Sequence, residues 1–275
     1  MLRAAMTQTK LLLRGRGARG TFLVLLGLAL VQFFKNVWSY HGYDVIGMFH
    51  PMRLLSLSYD QTNADLTLFL VLIYWVPLLI CLPAGLSLAA DQSAGTDTLL
   101  LSRLGPRRFL ASRLLAVFFT TATVFAAPFL LEALLNCLAF PLGAEGTLAF
   151  YNRYDPKLIE EIRSYGFSAL YRFSPYLYAV WKILLFGAFA GLLAAAAAAL
   201  SAVLRVKFRV FLMLPVFVLL MLSSRFGSND LRWYLYVFAF CGMPRSRCLP
   251  WLFAGAALGF IGLCWWFGSR KDHLK

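Results

Sequence analysis

Charged and turn-forming residues concentrate in one stretch of this chain, Asp91 to Leu115, which reads DQSAGTDTLLLSRLGPRRFLASRLL. It holds four arginines, two aspartates, a Gly-Thr pair and a Gly-Pro pair, and long apolar runs flank it on both sides. Arginine side chains are suited to charge-assisted hydrogen bonds with carboxylates or phosphates. The chemistry that this stretch indicates is therefore the recognition of a charged partner or of lipid phosphates.

Catalytic motifs do not occur in the sequence. The segment Gly-x-x-x-x-Gly-Lys-Ser/Thr, which cradles nucleotide phosphates, is missing, so the chain is not expected to hydrolyse ATP. The histidines His41, His50 and His273 lie outside the apolar runs, which gives no indication of a metal or hydrolytic site. The five cysteines form no CxxC motif, and spacing leaves open whether Cys241 and Cys248 form a disulfide.

The composition indicates a membrane protein. Of the 275 residues, 61% are hydrophobic and only 14% are charged, and the mean hydropathy of +0.72 is far above that of an ordinary soluble domain. The formal net charge is +14. Because the basic residues lie in short segments between apolar runs, this charge is interpreted as a signal of membrane orientation rather than of nucleic-acid binding.

Six apolar runs are candidates for membrane-crossing helices, each of which needs about 20 mostly apolar residues. The third and fourth are overlong, so their ends are expected to project from the bilayer or the helices to tilt. The fifth is short and contains Pro215. No small-residue cleavage site follows the first run, which is therefore interpreted as a retained span. The predicted spans are 20–39, 66–90, 109–140, 175–204, 210–224 and 249–268.

The charges between these runs predict the orientation of the chain. The leader 1–19 has five bases and no acid, and residues 91–108 and the tail 269–275 are also basic, so all three are predicted to be cytoplasmic. Residues 36–65 carry one base and three acids, which predicts an outside loop. One loop is an exception, because residues 225–248 carry four arginines and one acid although alternation places them outside.

An aromatic segment lies within that exceptional loop. Residues Leu231 to Phe240, LRWYLYVFAF, are too short to span a membrane and rich in residues that favour the membrane interface. The segment either enters the membrane from outside and returns, before the sixth span, or extends the start of that span. The sequence leaves both interpretations open.

The polar stretch contains its own helix signals. Asp91 and Ser93 are suitable cap residues, and Gly105-Pro106 can end one helix and begin the next. A basic turn between two spans explains the arginines but not the leucines between these signals, which are Leu99, Leu100, Leu101 and Leu104. Residues 91–108 are therefore predicted to include a short amphipathic helix at the inner membrane surface.

The order of residues in this stretch is distinctive: an acid, a Gly-Thr pair, leucines with an arginine, a Gly-Pro turn with two arginines, and a base that opens the next apolar run. These are Asp91, Gly95, Thr96, Leu99, Leu100, Arg103, Gly105, Pro106, Arg107, Arg108 and Arg113. Over this stretch the chain resembles the loop between the second and third spans of type-two exporter permeases of the ATP-binding-cassette transporters. In that family the acid is commonly glutamate and the last base lysine; Asp91 and Arg113 keep both charges.

The resemblance implies a coupling role for this segment. In such permeases the short helix sits in a groove of a separate ATP-hydrolysing subunit and passes the closure of that subunit to the spans. The leucines would fill an apolar cleft, and the arginines would meet acids of the partner or lipid phosphates. ATP and Mg would be bound by the partner, with no cofactor on this chain. The implied coupling residues are Asp91, Gly95, Thr96, Leu99, Leu100, Arg103, Leu104, Pro106, Arg107 and Arg108.

Two features inside the predicted spans bear on packing. Glu132 and Lys182 fall at the outer ends of the third and fourth spans, and an intramembrane charge is costly and usually paired or functional. They are interpreted as a candidate ion pair, with snorkelling to the interface and a substrate role left open. The small-residue motifs Gly187-x-x-x-Gly191 and Gly255-x-x-x-Gly259 suit close helix contact, although glycine is common in membrane helices generally.

Taken together, the sequence predicts an all-α integral membrane protein with six transmembrane helices, both termini cytoplasmic and a single permease domain over residues 1–275. The resemblance implies a dimer, with a second copy or a homologous permease, and two ATPase subunits in a bacterial cytoplasmic membrane. An amphipathic peptide, a lipid or a drug-like compound would suit such an exporter, and the sequence does not choose among them. Two alternatives stay open: a membrane scaffold or immunity-type protein that works without ATP, and a membrane-embedded enzyme.

Overall fold

Helices form nearly all the regular structure of the chain in a computed structural model, which describes residues 2–42, 50–57, 75–76, 78–94, 102, 104–142, 168–204, 209–218 and 249–270. No strand occurs in these ranges, so the predicted all-α class is confirmed for them. Short 3-10 turns lie at Pro51–Arg53 and Arg209–Leu212. The helices are α1 (Leu2–Leu13), α2 (Arg16–Ser39), α3 (Ser87–Ala94), α4 (Pro106–Ala139), α5 (Ser168–Phe173), α6 (Pro175–Val203) and α7 (Leu249–Arg270).

The two longest helices, α4 and α6, each begin with a proline in the first turn. Gly105 precedes α4 with a φ of 73°, a backbone conformation that favours glycine, and Pro106 occupies the first turn, where its missing N–H costs nothing. Ser174 precedes α6, and its side-chain oxygen accepts a hydrogen bond from the Leu177 backbone N–H, again with a proline, Pro175, in the first turn. Local chemistry therefore fixes where both helices start.

Three of the described helices are long and apolar enough to cross a membrane: α2 with 24 residues, α4 with 34 and α6 with 29. They match the predicted first, third and fourth spans closely. At 1.5 Å per residue α4 is about 51 Å long, well beyond the roughly 30 Å of a bilayer's hydrocarbon core. The chain is therefore a membrane-embedded protein, and at least one end of α4 extends past the hydrocarbon layer.

The other three predicted spans are described only in part or differ from expectation. The second is not one continuous helix, because residues 80–86 form turns around Pro83, which has no N–H to donate, and α3 then runs beyond the predicted end at residue 90. Of the fifth, only residues 210–218 are described. The sixth coincides with α7. Residues 231–240, predicted to be re-entrant or an extension of α7, lie outside the described residues, as do Cys241 and Cys248.

The centre of the structure is the contact between α4 and α6, the most extensive helix pair among the described elements. A Cβ added to Gly187 would lie 2.7 Å from the carbonyl oxygen of Ala122, and one added to Gly191 would lie 2.6 Å from that of Phe118. Only glycine permits this approach, which confirms that the first small-residue motif mediates close packing. A Cβ at Gly255 would meet no described atom within 4 Å, so the second motif does not do so here.

The orientation of the chain stays a prediction, which labelling can test. In a variant without native cysteines, a single cysteine at Gln92 is expected to react with a membrane-impermeant maleimide only after the cytoplasmic side is opened. A cysteine at Asn152 is expected to react on intact cells. Ser228, in the arginine-rich loop, belongs with Asn152 if six spans alternate. Labelling of Gln92 and Asn152 from the same side would contradict the six-span architecture.

Candidate functional site

The described residues of the predicted coupling segment lie on α3, just before α4 and in the first turn of α4. Asp91 lies on α3, Leu104 is half-buried and packs against the apolar core, and Pro106 opens α4. Arg107 and Arg108 follow in the first turn, with exposed side chains. The remaining implied coupling residues lie outside the described residues; they are Gly95, Thr96, Leu99, Leu100 and Arg103.

Asp91 and Arg113 form an ion pair that joins α3 to α4. A guanidinium nitrogen of Arg113, Nη2, donates to Oδ2 of Asp91, and the two side chains are only 8% and 29% exposed. A charge-assisted bond is strong when partly shielded from water, and losing either partner would leave the other charge poorly solvated. The pair therefore ties the first residue of the predicted coupling segment to α4, although Asp91 and Arg113 lie 22 positions apart in sequence.

Two further helices contact the first two turns of α4. From α1, the side-chain amide of Gln8 donates to the Ser112 hydroxyl at 3.4 Å, and Ser112 in turn donates to the carbonyl of Phe109 at 2.8 Å. From α7, the indole N–H of Trp265 donates to the carbonyl oxygen of Arg107 at 3.2 Å. The base of α4 is thus held from three sides, by α1, α3 and α7.

A second group of polar residues lies at the far end of α4, and we call it the distal polar cluster: Gln32, Asn36, Ser56, Glu132 and Asn136. Glu132 is 1% exposed. Its Oε1 accepts hydrogen bonds from the backbone N–H and the hydroxyl of Ser56, both at 2.7 Å, and its Oε2 lies 2.8 Å from the same hydroxyl. The partner that satisfies this carboxyl group thus comes from a loop more than 70 residues away in sequence.

The cluster holds residues 50–57 against the spans. The side-chain amide of Asn36 on α2 donates to the Leu54 carbonyl at 2.7 Å, and that of Asn136 on α4 donates to the Pro51 carbonyl at 3.4 Å. Gln32 donates to the Asn36 oxygen at 3.0 Å. Irregular backbone is tolerated at membrane depth only where protein buries it and satisfies its polar groups. The Asn36 amide supplies the donor to the Leu54 carbonyl, and the Asn136 amide adds a second donor to the Pro51 carbonyl, which also accepts from the Leu54 backbone N–H at 3.3 Å.

The outside location of residues 36–65 stays a prediction, to which the structure adds the burial of residues 50–57 against the helices. Leu54 is fully buried and Leu57 is 2% exposed. The loop charges gave no signal of it. The available signal was polar spacing: Gln32 with Asn36, and Glu132 with Asn136, each lie four residues apart inside an apolar helix and so share one helix face.

Lys182 lies close to the same region. Its Nζ is 4.3 Å from the centroid of the Tyr178 ring, a cation–π arrangement, and its side chain is 6% exposed. The glycine contacts fix α4 and α6 as antiparallel and place Tyr178 about level with Glu132 along the pair. Lys182 itself lies about one turn of α6 from Tyr178, on the side of the closer helix contact. The ion pair between Glu132 and Lys182 stays a prediction, to which Ser56 adds a hydrogen-bonding partner.

The described residues also contain an apolar pocket of about 350 Å³. It lies between α6, residues 212–216 and α7, and its lining includes Leu193, Leu200, Val216 and Phe260. Nothing in this lining favours a polar ligand. Elsewhere, within the part of the chain that the structure describes, no group of three His, Cys, Asp or Glu residues is placed to hold a metal ion.

Comparison with known proteins adds no relative: no family model, no curated protein and no solved structure matches this chain. Its function must therefore be argued from the coupling segment, the apolar helices and the distal polar cluster themselves.

Proposed function

We propose that this chain is the membrane-spanning permease subunit of an ATP-binding-cassette exporter. It crosses a bacterial cytoplasmic membrane six times with both termini in the cytoplasm, and residues 91–108 couple it to a separate ATP-hydrolysing subunit. The proposal rests on the residue order of that segment, on three long apolar helices and on the absence of a nucleotide-binding motif from the sequence.

The observation that carries the proposal is the ion pair between Asp91 and Arg113. A coupling element must move as one body with a span, because a flexible loop would absorb the displacement of a partner. The pair closes the segment at its base, and the hydrogen bonds from Gln8 and Trp265 fix the turn of α4 on which it stands. These contacts suit a segment that a cytoplasmic partner displaces towards the membrane.

Displacement of this segment would travel along α4. This helix is continuous from Pro106 to Ala139, so it links the coupling segment to the distal polar cluster, about 40 Å away at 1.5 Å per residue. At that far end Glu132 and Asn136 hold the buried residues 50–57. A tilt of α4 would therefore strain those bonds and loosen the outer end of the bundle.

The other subunits of the proposed exporter are separate chains. Two ATPase subunits bind ATP and Mg, and a second copy of this chain, or a homologous permease, completes the translocation path. This chain carries no cofactor, acts in the lipid bilayer and binds no nucleic acid. The apolar pocket beside α6 is consistent with an amphipathic peptide, a lipid or a drug-like compound as the substrate.

Replacing Leu100 with Asp tests this proposal. A carboxylate placed in the apolar cleft of a partner costs several kcal/mol, or about a hundredfold or more in binding. The tagged variant is expected to insert normally but to lose the ATPase that co-purifies with the wild-type chain, together with its ATP hydrolysis in nanodiscs. Arg103→Ala is the matched control, and is expected to change association only mildly because a charge at the rim of a contact contributes little.

The results of this co-purification experiment distinguish the exporter from the two alternative functions. A wild-type chain that recruits no ATPase from its own membranes would favour the scaffold or the membrane-embedded enzyme over the exporter. If Leu100→Asp keeps the ATPase bound and active, residues 91–108 only orient the chain in the membrane, and the coupling assignment is wrong.

A further inference from the structure

Helix α1 has three distinct faces. Ala5 and Gln8 are buried against the start of α4. Leu2 and Met6, four residues apart and so neighbours on one face, are 64% and 57% exposed. The bases of the helix, with Arg14 just beyond its end, are exposed on the third face. Such a division into buried, apolar and basic faces suits a helix that meets both protein and a lipid surface.

The connection to α2 fixes α1 close to the bilayer. Only Arg14 and Gly15 separate α1 from α2, and two residues span about 7 Å at most. A Cβ at Gly15 would lie 2.9 Å from the carbonyl oxygen of Leu12, so this turn is tight. Because α2 is a candidate span, the C-terminal end of α1 lies next to the start of that span.

The surface around α1 is strongly basic. The first 43 residues contain no Asp or Glu. Exposed arginines at Arg16 and Arg19 begin α2, and Arg107 and Arg108, also exposed, lie one turn before the residue that Gln8 contacts. Membrane orientation by itself requires the positive charge but not the exposed Leu2 and Met6 beside it.

We propose that α1 is an interfacial helix that binds anionic phospholipid, with Leu2 and Met6 among the acyl chains and Arg3, Lys10 and Arg14 against the phosphates. The exposed apolar side chains favour lipid over an acidic protein partner, because a lipid offers acyl chains and a phosphate side by side, as the apolar and basic faces of α1 lie. Anionic lipid headgroups attract such basic segments at short range. This inference does not depend on the transport function proposed above.

Lipid titration tests the inference. The full-length protein in a neutral detergent is titrated with fluorescent phosphatidylglycerol or with phosphatidylcholine that carries the same acyl chains. The wild type is expected to prefer phosphatidylglycerol. Replacing Arg3, Lys10 and Arg14 together with Gln is expected to weaken that preference by on the order of fivefold for each charge removed at low salt. The matched control, Arg3→Lys with Arg14→Lys, keeps the charge and is expected to keep the preference.

The apolar face has its own variant. Leu2→Ser with Met6→Ser is expected to lower affinity for both lipids alike, since it removes contact with acyl chains and leaves the charges in place. Three results would overturn the inference: an unchanged phosphatidylglycerol preference in the triple Gln variant, competition by inorganic phosphate as effective as that by lipid, or loss of a co-purifying protein without loss of lipid binding.

Discussion

Replacing Gly191 with leucine is expected to prevent α4 and α6 from packing. Even a Cβ there would lie 2.6 Å from the Phe118 carbonyl oxygen and 3.1 Å from a ring carbon of Phe118. The first of these atoms is backbone, so no rotamer change removes the clash, and the helices must separate. Overpacking alone costs about 1–3 kcal/mol, and separating the most extensive helix contact adds to it. We expect at least about 3 kcal/mol, measured as loss of monodisperse protein and a lower unfolding temperature in detergent.

The chain supplies a matched control for this prediction. Gly255 belongs to a motif of the same spacing, yet a Cβ there would meet no described atom within 4 Å. Gly255→Leu is therefore expected to change stability by no more than about 0.5 kcal/mol. Equal damage from both substitutions would show that the effect comes from losing glycine in a membrane helix and not from the close approach of α6 to α4.

Hydropathy and helix-start chemistry predicted much of the fold. Apolar runs located α2, α4 and α6. A segment that crosses a membrane must make all of its backbone hydrogen bonds within the protein, and a helix is one of the few structures that can do so. The Gly-Pro pair located the first turn of α4 because these residues suit a helix boundary and a first turn. These signals are local, so a single sequence carries them.

The features that the sequence did not predict depend on distant residues. Averaged hydropathy treats residues 80–86 as part of a span. An average over many residues gives no weight to the backbone hydrogen bond that is lost because Pro83 has no N–H. The loop charges predict a side of the membrane for residues 50–57 but not their burial, which depends on amides of α2 and α4. The two motifs of the form Gly-x-x-x-Gly are alike in sequence, and only the partner helix distinguishes them.

The candidate coupling site shows the same division. The sequence indicated Asp91 and Arg113 as charges at the ends of one polar stretch, but not that they bond to each other, since their pairing depends on how α3 meets α4. The contributions of Gln8 and Trp265 were not predicted either. Both residues come from helices far from the stretch in sequence, and neither belongs to a recognisable motif.

The distal polar cluster makes Glu132 the most sensitive charged position within the described spans. Its carboxyl group accepts two hydrogen bonds from Ser56 and is 1% exposed. Ser56→Ala removes the hydroxyl donor but keeps the backbone N–H, so a loss of about 1.5–3 kcal/mol is expected, as for other hydrogen bonds to charged groups. Glu132→Ala removes the acceptor from two buried donors at once and is expected to cost more. Thermal and denaturant unfolding in detergent measure both.

Substitution of Lys182 tests whether Glu132 also forms an ion pair. If its ammonium group pairs with Glu132, Lys182→Met leaves a buried carboxylate without its counter-charge and is expected to cost about 3–5 kcal/mol. Replacing both residues with Met should then recover part of that loss, though not all of it, because the Ser56 N–H is left without an acceptor. The alternative is that Lys182 contributes through other contacts, among them the Tyr178 ring, 4.3 Å from its Nζ.

A double-mutant cycle separates these two cases. Glu132→Gln keeps the size of the side chain and an acceptor for Ser56 but removes the negative charge, so it isolates the electrostatic part of the contact. With a true pair, Lys182→Met should cost far less in the Glu132→Gln background than in the wild type. A cost that is the same in both backgrounds would show that Lys182 acts through contacts other than Glu132, as in snorkelling or a substrate role, and would leave Ser56 as the residue that makes a buried carboxyl group tolerable here.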